Sequence, residues 1–95
     1  MKSRPTAISS CMLTHQPGLH VRAASAFVKA AKKFRAEVRV DVGTLSADGK
    51  SIVELLTLAA SHGSTLRITA QGPDADRAAR ELAALVERGF DEDIP

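Results

Sequence analysis

The apolar residues of this 95-residue chain recur at two different spacings, and the points where the spacing changes constrain the fold more than any single residue. Residues 37–42 read Glu-Val-Arg-Val-Asp-Val, a strict alternation that is typical of a strand with one face in the core. Between residues 22 and 34 the apolar side chains recur every three to four positions, as in an amphipathic helix. The alternation of the two spacings along the chain predicts helices packed against a sheet.

Read along the whole chain, the two spacings predict seven elements in the order β-α-β-β-α-β-α. We predict strands at 6–13, 37–42, 44–46 and 66–70, and helices at 22–34, from 51 to the turn at 61–64, and from 73 to Gly89. No linker or internal repeat interrupts this order, and 95 residues is the size of one small domain. We therefore expect a single domain over 1–95, with its core at 6–90 and an acidic tail at 91–95.

The charges are divided unevenly between the two halves of the chain. Residues 1–50 carry nine basic and three acidic side chains, whereas 51–95 carry four basic and eight acidic ones. The basic half favours acidic protein partners or phosphorylated ligands. No apolar run approaches the roughly 18–20 residues that span a bilayer, and the first residues lack a secretory signal, so we expect a cytoplasmic protein without membrane insertion. Cys11 is the single cysteine, which excludes an internal disulfide and is typical of a half-buried strand residue.

Three combinations of residues fall short of known site requirements. Residues 49–51 read Gly-Lys-Ser like the end of a Walker A loop, but Thr44 stands where that motif needs its first glycine. Cys11, His15 and His20 are of metal-binding types, but they lack a paired spacing and a fourth ligand. The element order also occurs in RNA-recognition modules, yet the chain has no tryptophan or tyrosine for base stacking. We therefore expect no metal, no cofactor and no nucleic-acid partner.

Residues 18–22, Gly-Leu-His-Val-Arg, place an imidazole and a guanidinium at the predicted start of the first helix. Unpaired backbone N–H groups and the positive end of the helix dipole favour an anion at such a position. Arg22 can add bidentate contacts to phosphoryl oxygens, and His20 can carry a phosphoryl group. From position alone, an equally weighted alternative is a capping or surface His20 beside a solvated Arg22.

Residues 17–28, Pro-Gly-Leu-His-Val-Arg-Ala-Ala-Ser-Ala-Phe-Val, resemble the active-site segment of HPr, the histidine phosphocarrier of the bacterial phosphoenolpyruvate-dependent phosphotransferase system. Residues 49–53, Gly-Lys-Ser-Ile-Val, resemble that family's regulatory-serine segment, and the element order matches the family's over nearly all of 6–90. Ala23 stands where the family usually has proline, and we expect this change to alter rigidity more than chemistry. The ending at 89–93 is similar to the nitrogen-related paralogue NPr, and the branch stays open.

The resemblance implies an α+β open-faced β-sandwich with a four-stranded antiparallel sheet of order 1-4-2-3 and helices on one face. It implies a phosphoryl carrier, not an enzyme: His20 accepts the group on Nδ1 from phospho-enzyme I, and Arg22 holds the phosphoryl oxygens. The acceptor would be an EIIA-type protein or domain, in sugar uptake or in nitrogen and carbon regulation. The alternative is a non-catalytic regulatory or ligand-binding domain of the same fold. We expect a monomer.

Two further roles concern residues near the predicted second helix. Ser51 and Glu54 have the spacing of a capping box, and the resemblance gives Ser51 a second reading as a target of HPr kinase/phosphorylase. Exposed apolar residues beside the site are expected to dock partners, with core packing as the alternative for some of them. The candidates for this docking patch are Leu19, Ile52, Leu55 and Leu56.

Overall fold

The computed structural model describes residues 4–14, 16 and 18–91. Its elements follow one another in the order β-α-β-β-α-β-α, as the two apolar spacings predict. The strands are β1 (Thr6–Met12), β2 (Glu37–Val42), β3 (Leu45–Asp48) and β4 (Thr65–Gln71), and the helices are α1 (Val21–Ala31), α2 (Ile52–Thr57) and α3 (Ala75–Glu87). His15, Pro17 and the acidic tail beyond Asp91 lie outside the described residues.

The four strands form one antiparallel sheet in the order β1-β4-β2-β3, which confirms the predicted topology. The last strand along the chain, β4, lies between β1 and β2. Met12 at the end of β1 therefore pairs with Thr65 at the start of β4. As a consequence, the loop after β1 and the connection before β4 meet at the same end of the sheet.

One face of the sheet is buried under the helices and the other is open. Side chains alternate along each strand, so Val40 and Ile68, which pair across β2 and β4, are both buried, whereas their neighbours Arg39 and Arg67 are exposed. The buried side of the sheet shares one core with side chains of all three helices. The largest of these fully buried side chains are Phe27, Leu13, Leu55, Leu66, Ile68, Leu82, Val40 and Val86.

Two helices end earlier than their sequence pattern predicts. The α1 helix ends at Ala31 and not at residue 34, because the N–H groups of Lys33 and Phe34 bond to carbonyls three residues back and tighten the last turn. Beyond this turn, the Asp74 carboxylate accepts hydrogen bonds from the N–H groups of Arg35 (2.9 Å) and Ala36 (2.8 Å). The α2 helix ends at Thr57, because the chain enters the left-handed region two residues later. In each case a backbone conformation outside the apolar pattern ends the helix.

Helix length also bears on the membrane prediction. The longest helix, α3, has 13 residues, and about 20 apolar residues are needed to span a bilayer. Within the residues that the structure describes, no helix is long and apolar enough to cross a membrane.

Candidate functional site

His20 is the N-cap residue of α1. Its backbone is extended (φ −99°, ψ −176°), and its ring Nδ1 accepts a hydrogen bond from the Arg22 N–H at 3.1 Å. The His20 carbonyl in turn accepts the first helical hydrogen bond, from Ala24 N–H at 2.8 Å. Because Nδ1 is an acceptor here, the neutral ring carries its proton on Nε2. The nitrogen with the lone pair therefore lies at the helix start, in a ring that is half buried.

The start of α1 provides a favourable environment for negative charge. The first turn contains no acidic residue, and the exposed Arg22 adds a full positive charge to the partial charge of the helix N-terminus. Ala23, in the place of the family's usual proline, lies fully buried within the helix. Both the helix N-terminus and the charge of Arg22 would thus favour an oxyanion beside the His20 ring.

The loop before His20 has a conformation that glycine makes possible. Gly18 has φ +107°, and a Cβ added to it would lie 2.7 Å from the Ala60 carbonyl oxygen and 3.0 Å from Ser61 Cα. The next residue, Leu19, donates its N–H to the same Ala60 oxygen at 3.0 Å. The His20 N–H donates to the Gly18 carbonyl at 3.0 Å. Contacts with residues 60 and 61 thus determine where the histidine sits.

Ser51 is the N-cap residue of α2, as predicted. Its Oγ accepts a hydrogen bond from Glu54 N–H at 3.2 Å. The reciprocal half of the predicted capping box is wrong, because the Glu54 carboxylate accepts from Asp48 N–H at 2.9 Å, and the Ser51 N–H donates to the Asp48 carbonyl at 3.1 Å. The β3–α2 turn thus takes the hydrogen bond that an isolated capping box would keep within the helix.

The structure divides the four predicted docking residues into two pairs. Leu19 and Leu55 are 7% and 1% exposed and belong to the core, so their assignment to a docking surface is wrong. Ile52 and Leu56 are half buried and pack on the core while keeping part of their surface in solvent. On a helix of six residues, several apolar positions point near the core, and their spacing alone does not separate the inner ones from the outer ones.

Two exposed apolar residues at helix starts were absent from the predicted docking patch. Val53 is 74% exposed in the first turn of α2, and Val21 is 59% exposed as the first residue of α1. The sequence contained a sign that Val53 is exposed. It follows Ile52 directly, and because two adjacent helical residues do not share one narrow face, both cannot point into the core.

The other candidate groups have structural roles in the described chain. Burial, and secondarily the negative charge of Glu87, raises the pKa of Cys11 to about 11, and its thiol lies 3.8 Å from the Leu66 carbonyl. The thiol is therefore protonated at neutral pH. The residues described contain no group of three side chains able to hold a metal ion, and His15 lies outside them. Lys50 of the Gly-Lys-Ser segment donates to the Phe34 carbonyl at 2.8 Å, beyond the end of α1.

Three comparisons place the chain among known proteins. The family model PTS-HPr, described as "PTS HPr component phosphorylation site", matches residues 9–88. The phosphocarrier protein HPr of Borreliella burgdorferi is 49% identical over 70 residues, or 74% of this chain and 81% of the relative. The phosphocarrier protein NPr of Shewanella violacea is 39% identical over 75 residues, or 79% and 82%. The crystal structure of an HPr from Thermoanaerobacter tengcongensis has a TM-score of 0.86 at 30% identity and covers 93% of this chain and 99% of its own.

Proposed function

The chain belongs to the HPr family of phosphocarriers, and from that premise we propose that His20 is the residue on which it carries the phosphoryl group. A phosphocarrier role in the phosphotransferase system follows from the family match, which favours it over a non-catalytic regulatory or ligand-binding domain of the same fold. The observation that supports His20 is the Nδ1 lone pair at the start of α1, beside the Arg22 N–H.

In the proposed transfer, the phosphohistidine of phospho-enzyme I is the donor. The Nδ1 lone pair of His20 forms the new N–P bond while the donor's N–P bond breaks, and the donor nitrogen keeps that electron pair. The Arg22 N–H, which in the free protein points at Nδ1, then has a phosphoryl oxygen to donate to. The Arg22 guanidinium stabilises the charge on the other oxygens. In the second transfer, a nucleophile of an EIIA-type protein or domain forms the new bond to phosphorus while the N–P bond of His20 breaks, and Nδ1 keeps that electron pair.

A carrier must release the group it receives, which limits how tightly the site should hold it. If the phosphoryl group is about equally stable on the donor, on His20 and on the acceptor, both transfers are near equilibrium. A phosphohistidine at His20 that is much more stable than the others would stop the second transfer. An exposed arginine at a solvent-facing helix start fits this requirement, because solvent screens its charge. We therefore expect a phosphoryl group that moves readily in both directions.

We propose that partners dock on the apolar side chains that α1 and α2 leave exposed or half buried. The docking surface consists of Val21, Ile52, Val53 and Leu56. The basic side chains of α1, Arg22 and Lys29 among them, would steer acidic partners toward it. A phosphate on Ser51 would add negative charge next to Ile52, which is the proposed means by which a kinase such as HPr kinase/phosphorylase would weaken docking. A monomeric state and a cytoplasmic location stay predictions from the sequence.

The test of the site is phosphorylation by phosphoenolpyruvate and enzyme I. Wild type should gain one acid-labile phosphoryl group, detected by mass spectrometry of the intact chain. His20→Asn should gain none, since asparagine keeps an acceptor at the N-cap and preserves the helix start without providing a nucleophilic nitrogen. His62→Ala is the matched control, because His62 is an exposed histidine in a turn and not part of α1. Labelling of His20→Asn at the wild-type level would refute the assignment.

A further inference from the structure

The connection between α2 and β4, residues 58–64, lies against the loop that carries His20. This contact follows from the sheet order, because β4 pairs with β1 from Thr65 and Met12 onward. The loop after β1 and the α2–β4 connection therefore leave the sheet side by side. The residues that bond across them are far apart in sequence, since Leu19 and Ala60 are 41 positions apart.

The α2–β4 connection holds the His20 loop at both of its ends. At the near end, Leu13 N–H donates to the Ser64 carbonyl at 2.8 Å, and Gly63 N–H donates to the Leu13 carbonyl at 2.7 Å. At the far end, the Ala60 carbonyl accepts from Leu19 N–H at 3.0 Å. The far contact is one residue away from His20, so the direction of the Ala60 carbonyl bears directly on the site.

A left-handed residue directly precedes Ala60 and sets where that residue lies. Ala59 has φ +49°, a conformation that residues with a Cβ adopt at an energetic cost and that bulky or β-branched residues strongly avoid. It follows Leu58, whose backbone is still helical (φ −69°), so the chain leaves α2 abruptly at Ala59. Ala59 itself is exposed, and its side chain therefore does not explain this backbone conformation through core packing.

We propose that Ala59 is a positioning residue for phosphoryl transfer, acting through the Ala60 carbonyl on the backbone of the His20 loop. This inference rests on the proposed phosphoryl site at His20. The left-handed turn places Ala60 where its carbonyl accepts from Leu19 N–H, and the close approach of Gly18 to the same oxygen leaves the loop no space to shift toward it. The His20 N–H bond to Gly18 then holds the His20 backbone, and the Arg22 N–H bond orients the ring that presents Nδ1.

The test compares Ala59→Gly, which keeps the left-handed conformation without strain, with Ala59→Val, which opposes it through a β-branched side chain. For Ala59→Val we expect hydrogen exchange of the Leu19 amide to rise roughly 3- to 10-fold, the range for loss of one hydrogen bond. We expect the maximal rate of transfer from phospho-enzyme I to fall roughly 10- to 100-fold with its KM unchanged, because a small displacement of a reacting group slows the chemical step. Ala59→Gly should match wild type in both measurements.

Asp91→Val is the matched control for destabilisation. Asp91 is also exposed and left-handed (φ +58°), but it lies at the end of the described chain, after α3. The Asp91→Val variant should be less stable in urea unfolding. Its rate of Leu19 amide exchange and its rate of phosphoryl transfer should equal those of wild type. Equal effects of Ala59→Val and Asp91→Val at matched stability, or wild-type values for Ala59→Val, would overturn the proposal. If wild type were not phosphorylated at all, the proposed function would fail, and Leu19 exchange and the Arg22 amide chemical shift would still decide the positioning role.

Discussion

Replacing Leu55 by alanine separates the core role found in the structure from the docking role that the sequence suggests. Leu55 is 1% exposed on the inner side of α2 and belongs to the main core cluster. Val53, two residues earlier on the same helix, is 74% exposed. The pair is a matched test, because both side chains are apolar, both lie in one six-residue helix, and both changes leave alanine.

The magnitude for Leu55→Ala follows from its burial. Truncating a fully buried leucine costs about 2–5 kcal/mol of unfolding free energy, from lost transfer energy and from the cavity that remains. We expect about 3 kcal/mol here, because a short helix can move partly into the space. A domain of this size has a total stability of about 5–15 kcal/mol, so the variant should still fold at low temperature. Val53→Ala should change stability by less than about 0.5 kcal/mol, as for most exposed positions.

Urea unfolding followed by circular dichroism measures both free energies, and phosphoryl transfer from phospho-enzyme I measures docking. Leu55→Ala should lose stability and keep a near wild-type KM under conditions where it is folded. Val53→Ala should keep stability and raise KM by roughly 5-fold, the effect of losing about 1 kcal/mol of contact. A cost below about 1 kcal/mol for Leu55→Ala would refute its place in the core. An unchanged KM for Val53→Ala would remove it from the docking surface.

Three further predictions address the charges of the site and of the fold. Arg22→Ala should slow phosphoryl transfer to His20 roughly 10- to 100-fold without unfolding the chain, because one charge-assisted contact is worth roughly 1.5–3 kcal/mol. An unchanged single-turnover rate would contradict this role. Ser51→Asp keeps an N-cap acceptor, so its thermal midpoint should stay close to that of wild type. Its phosphoryl transfer should be slower than wild type at low salt and recover partly at high salt. Equal rates across a salt series would leave Ser51 with the role of a helix cap alone. Backbone hydrogen bonds, the one from Arg35 first, lower the pKa of Asp74 in the folded protein. Ionised Asp74 therefore stabilises the fold above the pKa that this carboxyl has in the unfolded chain. This stabilisation is lost as the pH falls through the lower pKa of the folded protein. The stability difference between wild type and Asp74→Asn should therefore close in acid, and a difference independent of pH would refute it.

The elements that the sequence predicts most accurately are those in which local pattern and tertiary environment agree. Residues 37–42 alternate strictly, and β2 spans Glu37–Val42 as predicted. The helix starts were also readable, because a cap is a contact between residues two or three positions apart: His20 accepts from Arg22, and Ser51 accepts from Glu54. Both caps use side chains that are already close along the chain, whatever the rest of the fold does.

The helix ends and the identity of the buried leucines depended on contacts between distant segments. Just beyond the end of α1, the Asp74 carboxylate holds the N–H of Arg35 from 39 residues away. The Glu54 carboxylate bonds to Asp48 and not to the serine that the capping box names. The donor to Asp74 reaches the carboxylate only when the chain has folded, so no local pattern reports it. Asp48 lies six positions before Glu54, and the β3–α2 turn brings its N–H to the carboxylate.

The sequence by itself determined the order of the elements and the place of His20 at the start of a helix, because both follow from the spacing of neighbouring residues. Tertiary structure decided which apolar residues are buried, since Leu19 and Leu55 differ from Leu56 by their position relative to the sheet and not by their chemistry. It also decided how the His20 loop is held. Leu19 of that loop bonds to the Ala60 carbonyl only because β4 inserts beside β1, a long-range pairing that brings together residues more than 40 positions apart.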